Sequence, residues 1–472
     1  MSWASKDNDS KEVTFPAFKI SVVQRIKKTA KDHREKLLKD CSYNLFKIPS
    51  EDVMVDFLTD SGTGSLSNEQ MAKMQLGDES YASSTSWYRF RDAVTELFNF
   101  KHVIPTHQGR AAERILFTAT VNPDMIVPNN THFDTTRANI ELRGGKAYDI
   151  PIKEARDPRA LHPFKGNMDI EALERLLQDH GSNIPLVMLT LTNNAGGGQP
   201  VSVRNIKFVS AICRHYGKPL YLDACRFAEN AWFIKEREQG YKDKSIVEIV
   251  REIASLVDGM TMSAKKDGLS HIGGWIALND DNIAQKCIQN LIVTEGFLTY
   301  GGMAGRDLEV IAQGLKEVVT EEYLSQRVGQ VQYFGNQLIE ADIPVIQPIG
   351  GHAVYIDAKE MLPHIPPLHF PGHSFAIEIY LEGGVRCVEI GSLMFGKCPD
   401  GTEKPAAMEL VRLAVPRRMY TKEHIDYTVS VIKRVFARRS MIRGMRITKE
   451  PGFLRHFTAE FEYHSGQEQM TM

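Results

Sequence analysis

Cysteine is scarce and scattered in this 472-residue chain: Cys41, Cys213, Cys225, Cys287, Cys387 and Cys398, with no Cys-x-x-Cys pair. That spacing argues against both a zinc site and a disulfide framework, and it fits a reducing compartment. An excess of one charge is also missing. The 57 basic and 59 acidic residues leave a formal net charge of -2 with no long single-sign block, so nucleic acid and anionic membrane are poor partners. No apolar run approaches the roughly 18 residues that suggest a membrane span. The opening MSWASKDNDSKEV lacks the apolar core of a signal peptide. The expectation is a soluble, cytoplasmic protein. Internal repeats and low-complexity linkers are absent too. Residues 1–12 and the tail from Ser465 read as frayed, being polar with little to bury.

What is present suits a large α/β enzyme. A chain of this length that is 42% hydrophobic can bury a large core in two or more domains. Residues 184–192 are apolar almost without interruption, the pattern of a strand buried on both faces. After the turn Gly196-Gly197-Gly198-Gln199-Pro200, the residues Ile206, Val209, Ile212, Cys213 and Tyr216 fall at helical spacing, and Gly217 supplies a stop. Residues 219–222 enter a second strand. This is a βαβ unit, whose ligand site lies at the carboxyl ends of its parallel strands. Asn194 and Asp223 stand at two such ends, and a third strand around residues 257–262 delivers Ser263 and Lys266 to the same rim. Residues 344–357 read as a hairpin-type pair of strands, followed by mixed helices and strands to about residue 463. That change of texture places a boundary near residues 320–330.

Asp223 and Lys266 carry the chemistry. An acid that can hold a pyridinium nitrogen and a later lysine that can form an imine are the two protein groups pyridoxal phosphate chemistry most needs. A carboxylate after a buried strand also requires a charged or hydrogen-bonded partner. Gln108, Gly109 and Arg110 look like a phosphate cradle, because glycine admits backbone N–H groups and guanidinium grips phosphate in a fork. Ser263 could add a hydroxyl. Lys265 is the rival to Lys266, and on extended backbone adjacent side chains point to opposite faces, so only one of them can meet a ring.

Six stretches carry a family resemblance: Leu58-Thr59-Asp60-Ser61-Gly62-Thr63-Gly64, Gly77-Asp78-Glu79-Ser80-Tyr81, Pro105-Thr106-His107-Gln108-Gly109-Arg110, Arg226-Phe227-Ala228-Glu229-Asn230, Ser263-Ala264-Lys265-Lys266-Asp267 and Leu454-Arg455-His456-Phe457-Thr458-Ala459. In order, from about residue 15 to 463, they resemble the tryptophanase and tyrosine phenol-lyase family. Six motifs in register are far more specific than one Gly-rich loop. The resemblance implies an α/β, fold-type-I (aspartate aminotransferase-like) pyridoxal phosphate lyase. Its expected parts are an N-terminal arm 1–60 joining the small domain, a large mostly parallel sheet domain 61–325 and a small α+β domain 326–472. Such an enzyme cleaves the Cβ–Cγ bond of an aromatic amino acid through aldimine, quinonoid and aminoacrylate, releasing arene, pyruvate and ammonia.

The resemblance also implies roles. Lys266 holds the cofactor as an imine and then takes the Cα proton. Phe133 stacks on the pyridine face, Asp223 holds the ring nitrogen, and Asn194 and Arg226 serve the ring oxygen. Arg412 clamps the substrate carboxylate, with Thr59, Ser61 and Asn194 also in the substrate site. Tyr81, reaching in from a neighbouring subunit, is the acid that protonates the leaving ring. A monovalent cation, usually potassium, binds through Glu79 and carbonyls matching Gly62 and His271, and the assembly is a homotetramer with sites shared across a dimer interface. Three positions favour indole over phenol. Asp134 stands where phenol-lyases carry threonine, Ile390 where they carry an arginine for the phenol hydroxyl, and His456 where they carry phenylalanine. A β-eliminating lyase for tyrosine or S-substituted cysteines is the alternative. An inactive relative would have lost Lys266, which is present. Leu298 and Ala111 depart from the family's proline and glycine, and Asn193 and Ala195 are also atypical, which bears on substrate range more than on reaction class.

Overall fold

The computed structural model describes residues 16–20, 22–397 and 401–464. Cys398 and the expected frayed ends at residues 1–12 and from Ser465 lie outside them. Among the described residues, no helix is long and apolar enough to cross a membrane.

The core element is a five-stranded sheet in the order His102–Thr106, Gly274–Leu278, Gly259–Ser263, Leu220–Asp223, Val187–Thr190. Only Gly274–Leu278 runs against the rest. Four of the five strands are buried at every residue, which is why their sequences run apolar rather than alternating. The anticipated βαβ unit consists of Val187–Thr190, helix Val203–His215 and Leu220–Asp223. Ser202 caps that helix by accepting from the Asn205 N–H at 3.1 Å, and Gly217 follows its end at φ +63°. A parallel pair, Ile126–Asn129 and Lys146–Asp149, joins the edge strand through Asn130, whose amide donates to the Thr190 carbonyl at 2.9 Å and accepts from its N–H at 2.9 Å.

The apolar interior falls into two main clusters. One gathers residues between Trp87 and Leu324 around the five-stranded sheet. The other gathers Leu38 to Phe57 with Val331 to Phe461 around a three-stranded antiparallel sheet, Val388–Ile390, Leu410–Ala414 and Ala353–Asp357. Helix Glu321–Ile339 runs from one cluster into the other. The N-terminal stretch joins the second cluster through Val55–Asp56, which pairs parallel to Val385–Arg386.

The hairpin expected over residues 344–357 is corrected. Only Ala353–Asp357 is a strand, its ladder partner is Leu410–Ala414, and residues 344–346 contribute a single bridge, Val345 to Ile356. Pro344 and Pro348 lack the N–H groups a second ladder strand needs.

Candidate active site

The carboxyl ends of the parallel strands meet the start of helix Gly109–Thr120. Gln108, extended, precedes that helix and bridges to Gly273. A Cβ on Gly109 would stand 2.6 Å from Ser263 Cβ and 3.1 Å from its Cα, so only glycine lets the helix start lie against the strand end. Free N–H groups at a helix N-terminus, beside a serine hydroxyl, make a seat for a phosphate-type anion. Cations crowd the same place: burial, then Lys266 and Arg110, hold the Lys265 ammonium below its usual value. A bound anion would relieve that repulsion.

The two lysines do not continue the strand. It ends at Ser263, and residues 264–268 form a turn in which the Lys266 N–H donates to the Ser263 carbonyl at 3.3 Å. The expected separation of Lys265 from Lys266 by strand alternation is therefore corrected: the turn separates them. The Lys265 carbonyl accepts from Gly62 at 2.7 Å, and its side chain lies against Gly62. Asp267 anchors the turn by accepting from the Ala228 N–H at 2.8 Å.

Asp223 closes its strand as a buried carboxylate that accepts from the Cys225 N–H at 3.2 Å. A carboxylate has about four acceptor sites, so capacity remains for a protonated ring nitrogen. Beside it lies Glu113, which the sequence reading missed. Burial, then the Asp223 carboxylate, push Glu113 up to about 7, and Lys266 and the Thr136 hydroxyl oppose them. The signal was available: Glu113 sits one turn beyond Gly109 on a helix whose neighbouring Ala112, Ile115 and Leu116 are core. Phe133, half-buried, precedes helix Asp134–Glu141.

Asn194 is a hub. Its Oδ1 accepts from Arg412 Nη1 at 3.0 Å and Tyr355 Oη at 2.8 Å, and lies 2.9 Å from His352 Nε2. Burial, then Arg226, hold the His352 imidazole well below its usual value, so the ring is neutral. Arg412 and Tyr355 face each other across adjacent strands. The second Arg412 nitrogen donates to the Leu58 carbonyl at 2.9 Å, which sets it beside Thr59. The Thr59 hydroxyl accepts from the Ser61 N–H at 3.1 Å. Sequence reasoning did not single out His352 or Tyr355.

Asp134 and His456 meet. His456 Nε2 lies 3.1 Å from Asp134 Oδ2, with side-chain exposures of 2% and 3%. His456 Nδ1 is buried without a hydrogen-bond partner among the described residues. Ile390 is buried with Ile346, Ala353, Tyr355, Leu410 and Ala414, an apolar wall with Tyr355 at its edge.

Behind the lysine turn, three acids and three arginines form one buried network. Arg226 grips Asp60 in a fork at 2.7 and 3.1 Å. Arg417 reaches Asp60 and Glu229 at 2.9 Å and Asp267 at 2.8 Å, and Arg327 reaches Glu229 at 2.9 Å. Burial works to raise the Asp60 carboxyl, and Arg226 and Arg417 overcome it, holding it well below the usual range. Arg226 is thus fixed by a partner the sequence reading did not assign.

Two further expected groups belong, by the resemblance, to a subunit interface. Gly62 and His271 come together, since a Cβ on Gly62 would stand 2.8 Å from the His271 carbonyl oxygen. The Glu79 carboxylate accepts from the N–H groups of Gly305 and Arg306 at 2.7 and 3.2 Å. Tyr81 is 68% exposed and packs on Phe297 and Tyr300, with centroids 5.7 and 5.2 Å away.

The chain is similar to several known proteins. The chain is 56% identical to a tryptophanase from Salinibacter ruber over 94% of both chains. It is 46% identical to a tyrosine phenol-lyase from Symbiobacterium thermophilum, over 94% of this chain and 98% of that one. A serine palmitoyltransferase from S. paucimobilis, solved with a bound PLP–myriocin aldimine, superposes with a TM-score of 0.57 at 11% identity, covering 87% of this chain and 97% of that one. At that identity the likeness concerns the fold alone, which is that of the fold-type-I pyridoxal phosphate enzymes. The model of the beta-eliminating lyase family matches residues 56–430, and this chain belongs to that family.

Proposed function

We propose that this protein is a pyridoxal phosphate-dependent lyase that eliminates indole from L-tryptophan and leaves pyruvate and ammonia. The observation that carries the reading is the buried Asp134–His456 pair; Ile390, buried among apolar residues, offers no charge to a phenol hydroxyl.

The residues fit the cofactor. Lys266 would hold its aldehyde, Gln108, Gly109, Arg110 and Ser263 its phosphate, Phe133 its ring face, Asp223 its nitrogen, and Asn194 with Arg226 its ring oxygen. The Gly109–Ser263 contact that a Cβ would fill and the unfilled acceptor capacity of Asp223 support this. When bound, pyridoxal phosphate supplies an electron sink for the carbanion left at Cα.

The chain's own groups do the rest. Arg412, with Thr59, Ser61 and Asn194, holds the substrate carboxylate so that the Cα–H bond faces Lys266, whose amine takes the proton. Carbon leaves poorly until the ring is protonated at its attachment carbon. Tyr81 of a neighbouring copy donates that proton, which suits its exposed position here. Asp134 accepts the indole N–H as the ring gains positive character, His456 orients Asp134, and Ile390 packs the hydrocarbon edge.

The same reading includes a homotetramer with sites shared across a dimer interface and a cytoplasmic location. It also includes potassium held by Glu79 and the carbonyls of Gly62 and His271, ligands suited to a weakly hydrated ion. The chain divides into an arm 1–60, a cofactor domain 61–325 and a C-terminal domain 326–472, a division supported by the two apolar clusters. The test is to incubate the cofactor-loaded protein with tryptophan in potassium buffer. Indole with equimolar pyruvate, abolished in Lys266→Ala, is expected. Pyruvate from tyrosine or S-alkylcysteine alone would overturn the reading.

A further inference from the structure

Arg455 is only 4% exposed, and no step above uses it. Its guanidinium spans two structures. Nε donates to the Leu393 carbonyl and Nη2 to the Ser392 carbonyl, both at 2.9 Å. These residues directly follow Ile390 and Gly391. The remaining capacity goes to Glu403 at 2.9 Å and Glu450 at 3.1 Å.

The segment Arg455 grips is held from the other side as well. The Ser392 N–H donates to Glu409 at 3.2 Å and the Leu393 N–H to Glu389 at 3.0 Å. A Cβ on Gly391 would meet both carboxylates, at 2.5 and 2.7 Å. The backbone after Ile390 therefore has little freedom.

Arg455 also opens the short turn Arg455–Phe457, which carries His456. Leu454, just before it, is left-handed at φ 48°, ψ 49°, a conformation disfavoured for a non-glycine residue. Such backbone persists where its surroundings over-determine it. Asn44 adds a bond to the Ala459 carbonyl at 2.8 Å, and Arg455 supplies the tie to Ser392 and Leu393.

We propose that Arg455 is a positioning residue for substrate selectivity: it fixes the polar half of the leaving-group wall, His456 with Asp134, at a set distance from the apolar half, Ile390. The inference rests on the indole reading above. Arginine is required because its planar fork meets two carbonyls and two carboxylates at once, which a lysine ammonium does not. Among the described residues its polar contacts are with the Ser392–Leu393 segment, Glu403 and Glu450, and the Phe370 ring lies 5.6 Å away, so its loss should move the ring's surroundings and spare proton removal at Cα. A thiolate leaves without ring protonation, so S-ethylcysteine serves as an internal control.

The test uses the cofactor-loaded protein in potassium buffer, comparing wild type with Arg455→Lys on tryptophan and on S-ethylcysteine. Misplacing a reacting group by about 1 Å costs on the order of 100-fold. Tryptophan kcat/KM is therefore expected to fall about 100-fold in Arg455→Lys, with S-ethylcysteine kcat/KM within about threefold of wild type. An equal fall for both substrates, or no fall for either, overturns the role. If Arg455→Lys does not fold, Glu403→Gln/Glu450→Gln removes two of the four anchors. It should lower the tryptophan to S-ethylcysteine ratio about tenfold, and an unchanged ratio overturns the proposal. Wild type that cleaves S-ethylcysteine but releases no indole refutes the indole reading itself, separately from the variants.

Discussion

His456 Nε2 lies 3.1 Å from Asp134 Oδ2, although the two residues are far apart in the sequence. A buried carboxylate needs a partner, and a histidine whose other nitrogen is unpaired has few alternatives. The pair is therefore one unit. Single variants Asp134→Thr and His456→Phe should each lower tryptophan kcat/KM, and the double variant should be far milder than the product of the two. The coupling in that double-mutant cycle should be about 1–3 kcal/mol. Additive losses would show that the contact carries no function.

Gly109→Ala places a methyl group against the Ser263 backbone. Overpacking of this kind costs about 1–3 kcal/mol of folding stability, and relieving it moves the helix start off Ser263, so the cofactor Kd should rise. Titration of the apoprotein with pyridoxal phosphate, followed by fluorescence, reads it. An unchanged Kd would place the phosphate elsewhere.

Glu409 gives a pH signature. Burial pushes its carboxyl up to about 7, and the bonds from Ser392 only partly oppose this. The folded protein keeps a proton there that the unfolded chain releases near 4.5. The associated stability is complete below pH about 4.5 and is lost as the pH rises to about 7. Glu409→Gln should therefore gain stability relative to wild type across that window, on the order of 1–3 kcal/mol. Denaturant midpoints that run parallel from pH 4.5 to 7.5 would contradict the assignment.

The parallel strands and their rim were legible because burial on both faces writes itself as unbroken apolar runs. Strand ends then placed Asp223 and Ser263 without further information. Residues 344–346 misled because Val345 and Ile346 are as apolar as a strand, and only the flanking prolines deny the ladder. The Lys265–Lys266 turn was hidden for a different reason: Asp267 anchors it on helix Phe227–Arg237, a contact no local pattern records. Glu113 and the Asp60–Arg226 fork likewise depend on tertiary neighbours. Asp134 and His456 were named from family resemblance, but their contact needs the fold.

On the proposed function, the residues around the leaving group select indole. The most direct measurement is kcat/KM for tryptophan and for tyrosine on the same cofactor-loaded protein, under the same potassium and pH. With Ile390 offering no partner to a phenol hydroxyl, the ratio should favour tryptophan by about 100-fold or more. Equal values, or a preference for tyrosine, would contradict it.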